Sequence, residues 1–152
     1  MSCEENPDSD ARDKDFVEKI RVKAYLAFER NAQERSFDYY TSEVEIILME
    51  KGDDKNVYFY LPGLIVERDQ LKTDPDFYYI EVTVGEQVQE PQSTAMSGNI
   101  PNLDILKSFV SRADAEGGVN EHFLTPIYLM TGDPELGRVS DLPAFLRRDV
   151  RN

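Results

Sequence analysis

The feature that most constrains the fold is the alternation of apolar and polar residues in runs between Val44 and Val84. Val44, Ile46 and Leu48 alternate with Glu43 and Glu45, and a second run from Phe77 repeats the pattern. A period of two is typical of β-strands whose faces meet different environments. Because turn residues separate the runs, the sequence predicts an antiparallel sheet.

The polar run at 51–56 has the composition of a hairpin loop. It predicts that the strand before it pairs with a strand at 57–61. Pro62 and Gly63 then mark a turn or a bulge, and 64–66 continues as a short strand.

Residues 16–30 fit two templates. Apolar residues alternate strictly at Ile20, Val22, Ala24, Leu26 and Phe28, but Val17, Ile20, Ala24 and Ala27 also fit helical spacing. The strand template includes more of the large apolar residues, so we prefer a strand here and leave a helix open.

The last third of the chain has helical features. Asn102 is a good N-cap for a helix over 102–116, whose apolar face comprises Leu103, Leu106, Phe109, Val110 and Ala113. The Gly pair at 117–118 ends it. Pro126 favours an extended conformation for the residues around it. Residues 140–146 are predicted to form a short last helix.

Strands followed by helices indicate an α+β domain. We therefore predict a meander-like antiparallel sheet, with strands within about 16–84 and one or two helices packed on one face. A β-sandwich with appended helices is the alternative. Residues 1–15 are polar and acidic, which predicts a disordered lead before a single globular domain at 16–152.

The formal net charge of the 152-residue chain is −13. This charge favours solubility and repels nucleic acid and anionic lipid, so no nucleic-acid partner is expected. No apolar run approaches the roughly 20 residues of a transmembrane helix. Cys3 is the single cysteine, which favours a cytoplasmic protein but also allows a trimmed secreted domain or lipoprotein domain.

The sequence lacks the nucleophile-elbow, phosphate-loop and zinc-protease motifs. We predict no catalytic residue, no metal site and no cofactor. His122 is the single histidine and is more typical of a surface or capping residue. Three acidic pairs lie in predicted turns, where Asp usually bonds its own backbone rather than Ca²⁺: Asp53/Asp54, Asp74/Asp76 and Asp133/Glu135.

The tyrosines indicate that the second face of the sheet is aromatic. If Val57, Phe59 and Leu61 face the core, Tyr58 and Tyr60 face the other way. Tyr79 is expected on that second face, together with Ile47 and Met49. Either the helix at 102–116 covers this face, or the face is a docking surface with Tyr58, Tyr60 and Tyr79 as its binding residues.

Two segments resemble known families. The spacing of Asp74, Tyr78, Ile80 and Val82 resembles the tyrosine-corner strand of immunoglobulin-like sandwiches. The segments at 108–112 and 125–127 are similar to a helix end and a proline-containing linker of the SecB-type export chaperones. That second resemblance implies an oligomer that holds unfolded clients.

Taken together, these features favour a non-catalytic protein-binding or assembly domain, such as a subunit, adaptor or accessory protein. It would act through a sheet face or edge, with a protein partner or by self-association. The alternatives are a SecB-like oligomeric holdase and an enzyme of unfamiliar type, in which carboxylates and tyrosine converge with His122 in a deep pocket.

Overall fold

The computed structural model describes residues 1–72, 74–129 and 141–146. These ranges contain two α-helices, α1 (Gly63–Arg68) and α2 (Leu103–Glu116). The strands are β1 (Phe16–Asn31), β2 (Ser36–Glu50), β3 (Phe59–Tyr60), β4 (Phe77–Val84), β5 (Gln87–Val88), β6 (Thr125–Pro126) and β7 (Ala144–Phe145).

Five strands form one sheet in the order β5-β4-β1-β2-β7, and all neighbouring pairs are antiparallel. The predicted α+β class, with a helix packed on an antiparallel sheet, is confirmed. Strands β3 and β6 form a separate pair of two residues each. Such a short pair does not make the second layer of a β-sandwich, so that alternative does not describe this fold.

The long hairpin of β1 and β2 organises the sheet. Val22 lies opposite Val44 on β2 and opposite Val82 on β4, so three β-branched residues adjoin across the centre. The strand prediction for 16–30 is confirmed. The connection at 32–35 is polar, and the Asn31 side chain accepts a hydrogen bond from the Gln33 N–H at 2.9 Å, which stabilises the turn.

The alternation of buried and exposed residues is interrupted near the start of β1 and the end of β2. Lys19 has φ +53°, a left-handed conformation, and Val17 and Ile20 on either side of it are buried in the same core cluster. Opposite them, Ile46 and Met49 are likewise buried together. Met49 therefore lies with the core residues, and its predicted place on the second face is wrong. The reason is that the period of two is interrupted in β2 between Ile46 and Met49, opposite Lys19.

Helix α2 covers one face of the sheet. The Asn102 side chain accepts a hydrogen bond from the Ile105 N–H at 2.9 Å, as the predicted N-cap requires. Leu106, Phe109 and Ala113 are buried against the sheet. On the flank, Lys23 of β1 donates to Asp114 at 2.9 Å.

The opposite face is covered by less regular structure. Phe59 of β3, Ile65 of α1 and Leu124 before β6 pack on apolar residues of β1, β2 and β4. Sheet residues on this face include Val22, Ala24, Phe28, Tyr40, Val44, Ile46, Ile80 and Val82. The sheet is therefore the middle layer of three.

Three local predictions are wrong. The strand at 57–61 does not pair with β2, because Phe59 lies opposite Pro126 of β6. Residues 64–66 belong to α1, which begins after Pro62. The Pro62 carbonyl accepts a hydrogen bond from the Val66 N–H at 3.1 Å. The predicted last helix contains β7 instead, because its backbone pairs with the outer edge of β2, where Phe145 lies opposite Ile46.

The N-terminal segment, for which the composition predicts a disordered lead, makes main-chain contacts with the loop after β2. The Cys3 N–H donates to the Asp53 carbonyl at 2.8 Å, and the Gly52 N–H donates to the Cys3 carbonyl at 3.0 Å. The Cys3 side chain packs on the same core cluster as Val17. Main-chain pairing with the loop after β2 thus offsets the low hydrophobicity of this segment.

Candidate binding groove

The structure does not bring the three predicted binding tyrosines onto one face. Tyr79 is 3% exposed and lies beneath α2, so the helix covers its face of the sheet. Tyr58 and Tyr60 lie on the segment of β3, which packs over the opposite face. Tyr58 is 43% exposed and Tyr60 is half-buried.

The tyrosines beneath α2 form part of an aromatic core. The Tyr25 ring stacks on Tyr79, and Phe109 meets Tyr25 edge-on. Burial raises the pKa of Tyr25 to about 12 and raises the pKa of Tyr79 as well. Both hydroxyls are therefore neutral at physiological pH, and their rings contribute mainly packing energy.

A groove of about 970 Å³ lies where the strands end, on the side away from the β1–β2 turn. We call it the sheet-end groove. Its apolar lining comes from Phe16 of β1, Leu48 of β2 and Val84 of β4. Phe16 is 37% exposed and Leu48 is 42% exposed, so both large side chains present apolar surface to the groove.

The two walls of the sheet-end groove are held by hydrogen bonds. The N-terminal wall, residues 6–13, is fixed where the Asn6 side chain donates to the Phe16 carbonyl at 3.0 Å. The other wall is the turn between β4 and β5. Gly85 adopts φ +61° there, and its N–H donates to the Lys19 carbonyl at 3.2 Å. The left-handed Lys19 is thus linked to the wall of the groove.

Charged side chains line the rest of the sheet-end groove. Four carboxylates and two cations contribute: Asp8, Asp13, Glu18, Glu86, Arg12 and Lys19. The carboxylates of Asp8 and Asp13 each accept a backbone N–H two residues on, at 2.9 and 3.0 Å, which orients them. The groove therefore combines an apolar surface with an excess of negative charge.

A second, smaller groove of about 390 Å³ contains Cys3 and is lined by core residues such as Val17 and Met49. Burial, with a smaller contribution from the Asp53 charge, raises the pKa of the Cys3 thiol. The thiol is therefore protonated at neutral pH and a poor nucleophile.

A partly buried polar network connects α1 to the sheet. The Tyr40 hydroxyl donates to Asp69, and Arg68 donates to both oxygens of the same carboxylate at 2.7 and 2.9 Å. The hydrogen bond from Arg68 lowers the pKa of Asp69, whereas burial raises the pKa of Tyr40. Sequence reasoning missed this network because Tyr40 and Asp69 belong to unrelated local patterns. Its geometry serves to hold α1 on β2.

His122 lies outside both grooves, and its ring is 3.7 Å from Glu121. Within residues 1–72, 74–129 and 141–146, no group of three His, Cys, Asp or Glu is arranged to hold a metal ion.

Two of the acidic pairs bond backbone groups. Asp53 accepts from the Glu50 N–H at 2.9 Å, and Asp76 accepts from the Glu29 N–H at 2.7 Å. The pair Asp133/Glu135 lies outside the described residues. None of the helices in the described ranges is long and apolar enough to cross a bilayer.

Both edges of the sheet carry additional chain. Along β4, the N–H of Gln89 donates to the Val82 carbonyl at 2.8 Å, and that of Ser97 donates to Tyr78 at 3.0 Å. Along β2, β7 pairs near Ile46, and the Asn120 side chain donates to the Tyr39 carbonyl at 3.0 Å. These contacts occupy backbone groups that a partner strand would need.

The segments that resemble the SecB-type chaperones lie in α2 and around β6. No protein-family model matches the chain, and neither the curated proteins nor the solved structures contain a match to it.

Proposed function

We propose that this chain is a non-catalytic protein-binding domain that takes a segment of a partner protein in the sheet-end groove. The observation that carries the proposal is the exposure of Phe16 and Leu48 inside a groove of about 970 Å³. The exposed part of each side chain lacks the stabilisation that burial would give, which is on the order of 1 kcal/mol for each residue. Both side chains line the same groove, and this grouping of apolar surface is what supports an interaction site.

The dimensions of the sheet-end groove support a polypeptide ligand. Its volume is at the upper end of the range for small-molecule sites, roughly 300–1,000 Å³, and it is bounded by chain segments on two sides rather than enclosed. A short stretch of a partner can place one or two apolar side chains on Phe16 and Leu48. The polar walls then contact the partner backbone and its charged residues.

The occupied edges favour the groove over strand addition as the binding mode. Chain segments already bond the outer sides of β4 and β2 at Val82, Tyr78 and Ile46. At these positions a partner strand would have to displace the bonded segments before it could pair, whereas the groove accepts a ligand without breaking those backbone hydrogen bonds.

The proposal is tested with short peptides selected from a random library on the immobilised full chain. Their affinities for the wild-type chain and for Leu48→Ser are then measured by fluorescence polarisation. We expect Leu48→Ser to weaken binding about tenfold, since anchor residues dominate such interfaces. Leu103→Ser is the matched control, because Leu103 is 58% exposed on α2 and does not line the groove.

Thermal melts of both variants show whether each is folded. If a folded Leu48→Ser chain binds every selected peptide as tightly as the wild type, or if no peptide is selected, the groove is not a protein-binding site and the proposal fails.

A further inference from the structure

We infer that the partner segment in the sheet-end groove carries lysine or arginine residues on both sides of a large apolar residue. This inference rests on the proposed function and specifies the chemistry of the ligand. It follows from how charge and apolar surface are distributed around the groove.

The carboxylates come from three separate parts of the chain and line the groove together with its apolar residues. Asp8 and Asp13 belong to the N-terminal wall, Glu18 to β1 and Glu86 to the β4–β5 turn. Only Arg12 and Lys19 oppose them among the residues that line the groove. A ligand with an apolar centre and cations on either side therefore meets complementary groups on both walls.

The wider charge distribution reinforces this local excess. The first 15 residues contain six acidic side chains against Arg12 and Lys14. The whole chain has 30 acidic residues and 17 basic ones. A basic segment is attracted over a distance of about one Debye length, roughly 10 Å at moderate salt, whereas acidic segments are repelled.

The same charge argues against a second copy of this chain as the occupant. Each copy has a formal net charge of −13, so two copies repel each other as they approach. The chain segments bonded along β4 and β2 also occupy part of the backbone that strand pairing between two copies would use. A basic segment of a different protein is the occupant that the charge of the groove favours.

The test uses two labelled peptides with the same leucine and phenylalanine residues. One has lysines at all flanking positions, and the other has glutamates there. Each is titrated with the full chain by fluorescence polarisation. We expect the lysine peptide to bind at least about tenfold more tightly, and its affinity to fall several-fold between about 0.05 M and about 0.5 M NaCl because salt screens the attraction.

Charge reversal at the groove supplies the specific control. Glu86→Lys should weaken binding of the lysine peptide and strengthen binding of the glutamate peptide, each several-fold. Glu34→Lys makes the same change in the exposed β1–β2 turn, at the opposite end of the hairpin, and should leave the ratio of the two affinities nearly unchanged. An equal response of both variants would mean that net charge alone, rather than the groove, attracts the peptide, and would overturn the inference.

The outcomes separate this inference from the proposed function. If both peptides bind equally and Leu48→Ser weakens both, the groove binds protein segments but does not select basic ones. If neither peptide binds while library-selected peptides depend on Leu48, the inference again fails and the proposed function stands. If no peptide of any kind depends on Leu48, both fail.

Discussion

The ring of Tyr79 on β4 stacks on the ring of Tyr25 on β1, with centroids 6.0 Å apart and ring planes 19° apart. The two residues lie directly opposite each other in the register of the sheet. Phe109 of α2 packs edge-on against Tyr25, with centroids 6.4 Å apart. A tyrosine that sequence reasoning assigned to a binding face thus belongs to the contact between sheet and helix.

Tyr79→Ser is expected to reduce the free energy of unfolding by about 3 kcal/mol, since it leaves a cavity beneath α2 and removes an aromatic pair. Urea denaturation monitored by circular dichroism measures the change. Tyr58→Ser is the matched control. It should change stability by less than about 1 kcal/mol, because Tyr58 is 43% exposed. Equal losses in the two variants would contradict the burial of Tyr79.

The left-handed conformation of Lys19 makes a second prediction. A residue with a Cβ atom is disfavoured at φ +53°, and glycine is not. Lys19→Gly should therefore keep or raise the free energy of unfolding, whereas Lys19→Val should lower it by at least about 1 kcal/mol. Thermal melts of the two variants under one set of conditions measure the difference. If Lys19→Gly is the less stable of the two, the interruption of β1 at this residue is wrong.

The Asp69 network predicts a dependence of stability on pH. The hydrogen bond from Arg68 lowers the pKa of Asp69 in the folded chain. A carboxyl with a lowered folded pKa stabilises the fold above its unfolded pKa of about 3.9, and this contribution is lost as the pH falls through the folded pKa. At pH 7, Asp69→Asn should lower the free energy of unfolding by about 1 kcal/mol. Below the pKa of Asp69 in the folded chain, the difference in unfolding free energy between Asp69→Asn and the wild type should shrink.

Urea titrations of both chains at several pH values give the Asp69 comparison. Tyr40→Phe removes the other hydrogen bond to Asp69 and leaves the carboxylate charged. The loss in the free energy of unfolding caused by Tyr40→Phe should therefore change less as the pH falls than the loss caused by Asp69→Asn. A deficit of Asp69→Asn that stays constant down to low pH would show that the charge of Asp69 does not stabilise the fold.

The oligomeric state distinguishes the binding domain from the holdase alternative. We expect size-exclusion chromatography with light scattering to give the 17.5 kDa mass of one chain, because like charge opposes self-association and additional chain occupies the sheet edges. A stable tetramer that captures unfolded protein in proportion to its concentration would favour the SecB-like alternative and contradict a simple binding domain.

Part of the candidate groove was accessible from the sequence, and part was not. The acidic character of the N-terminal wall is plain from its composition. The exposed Phe16 and Leu48 could not be recognised, because the pattern that places Leu48 beside Ile46 is the one that identifies core residues. Ile46 is fully buried and Leu48 is 42% exposed. What separates them is the interruption of the alternation beside the left-handed Lys19, which leaves Met49 rather than Leu48 buried with Ile46.

Periodicity in the sequence was enough to predict β2, β4 and α2, and Asn102 marks where α2 begins. For β1 the periodicity favoured a strand and left a helix open. The partner of Phe59, the strand at 144–145 and the place of the N-terminal segment depend on tertiary contacts. These short segments have little local preference of their own, and they take the conformation that bonds an open strand edge or loop. Their partners are distant in sequence, as Phe59 and Pro126 are, so no local pattern specifies the pairing.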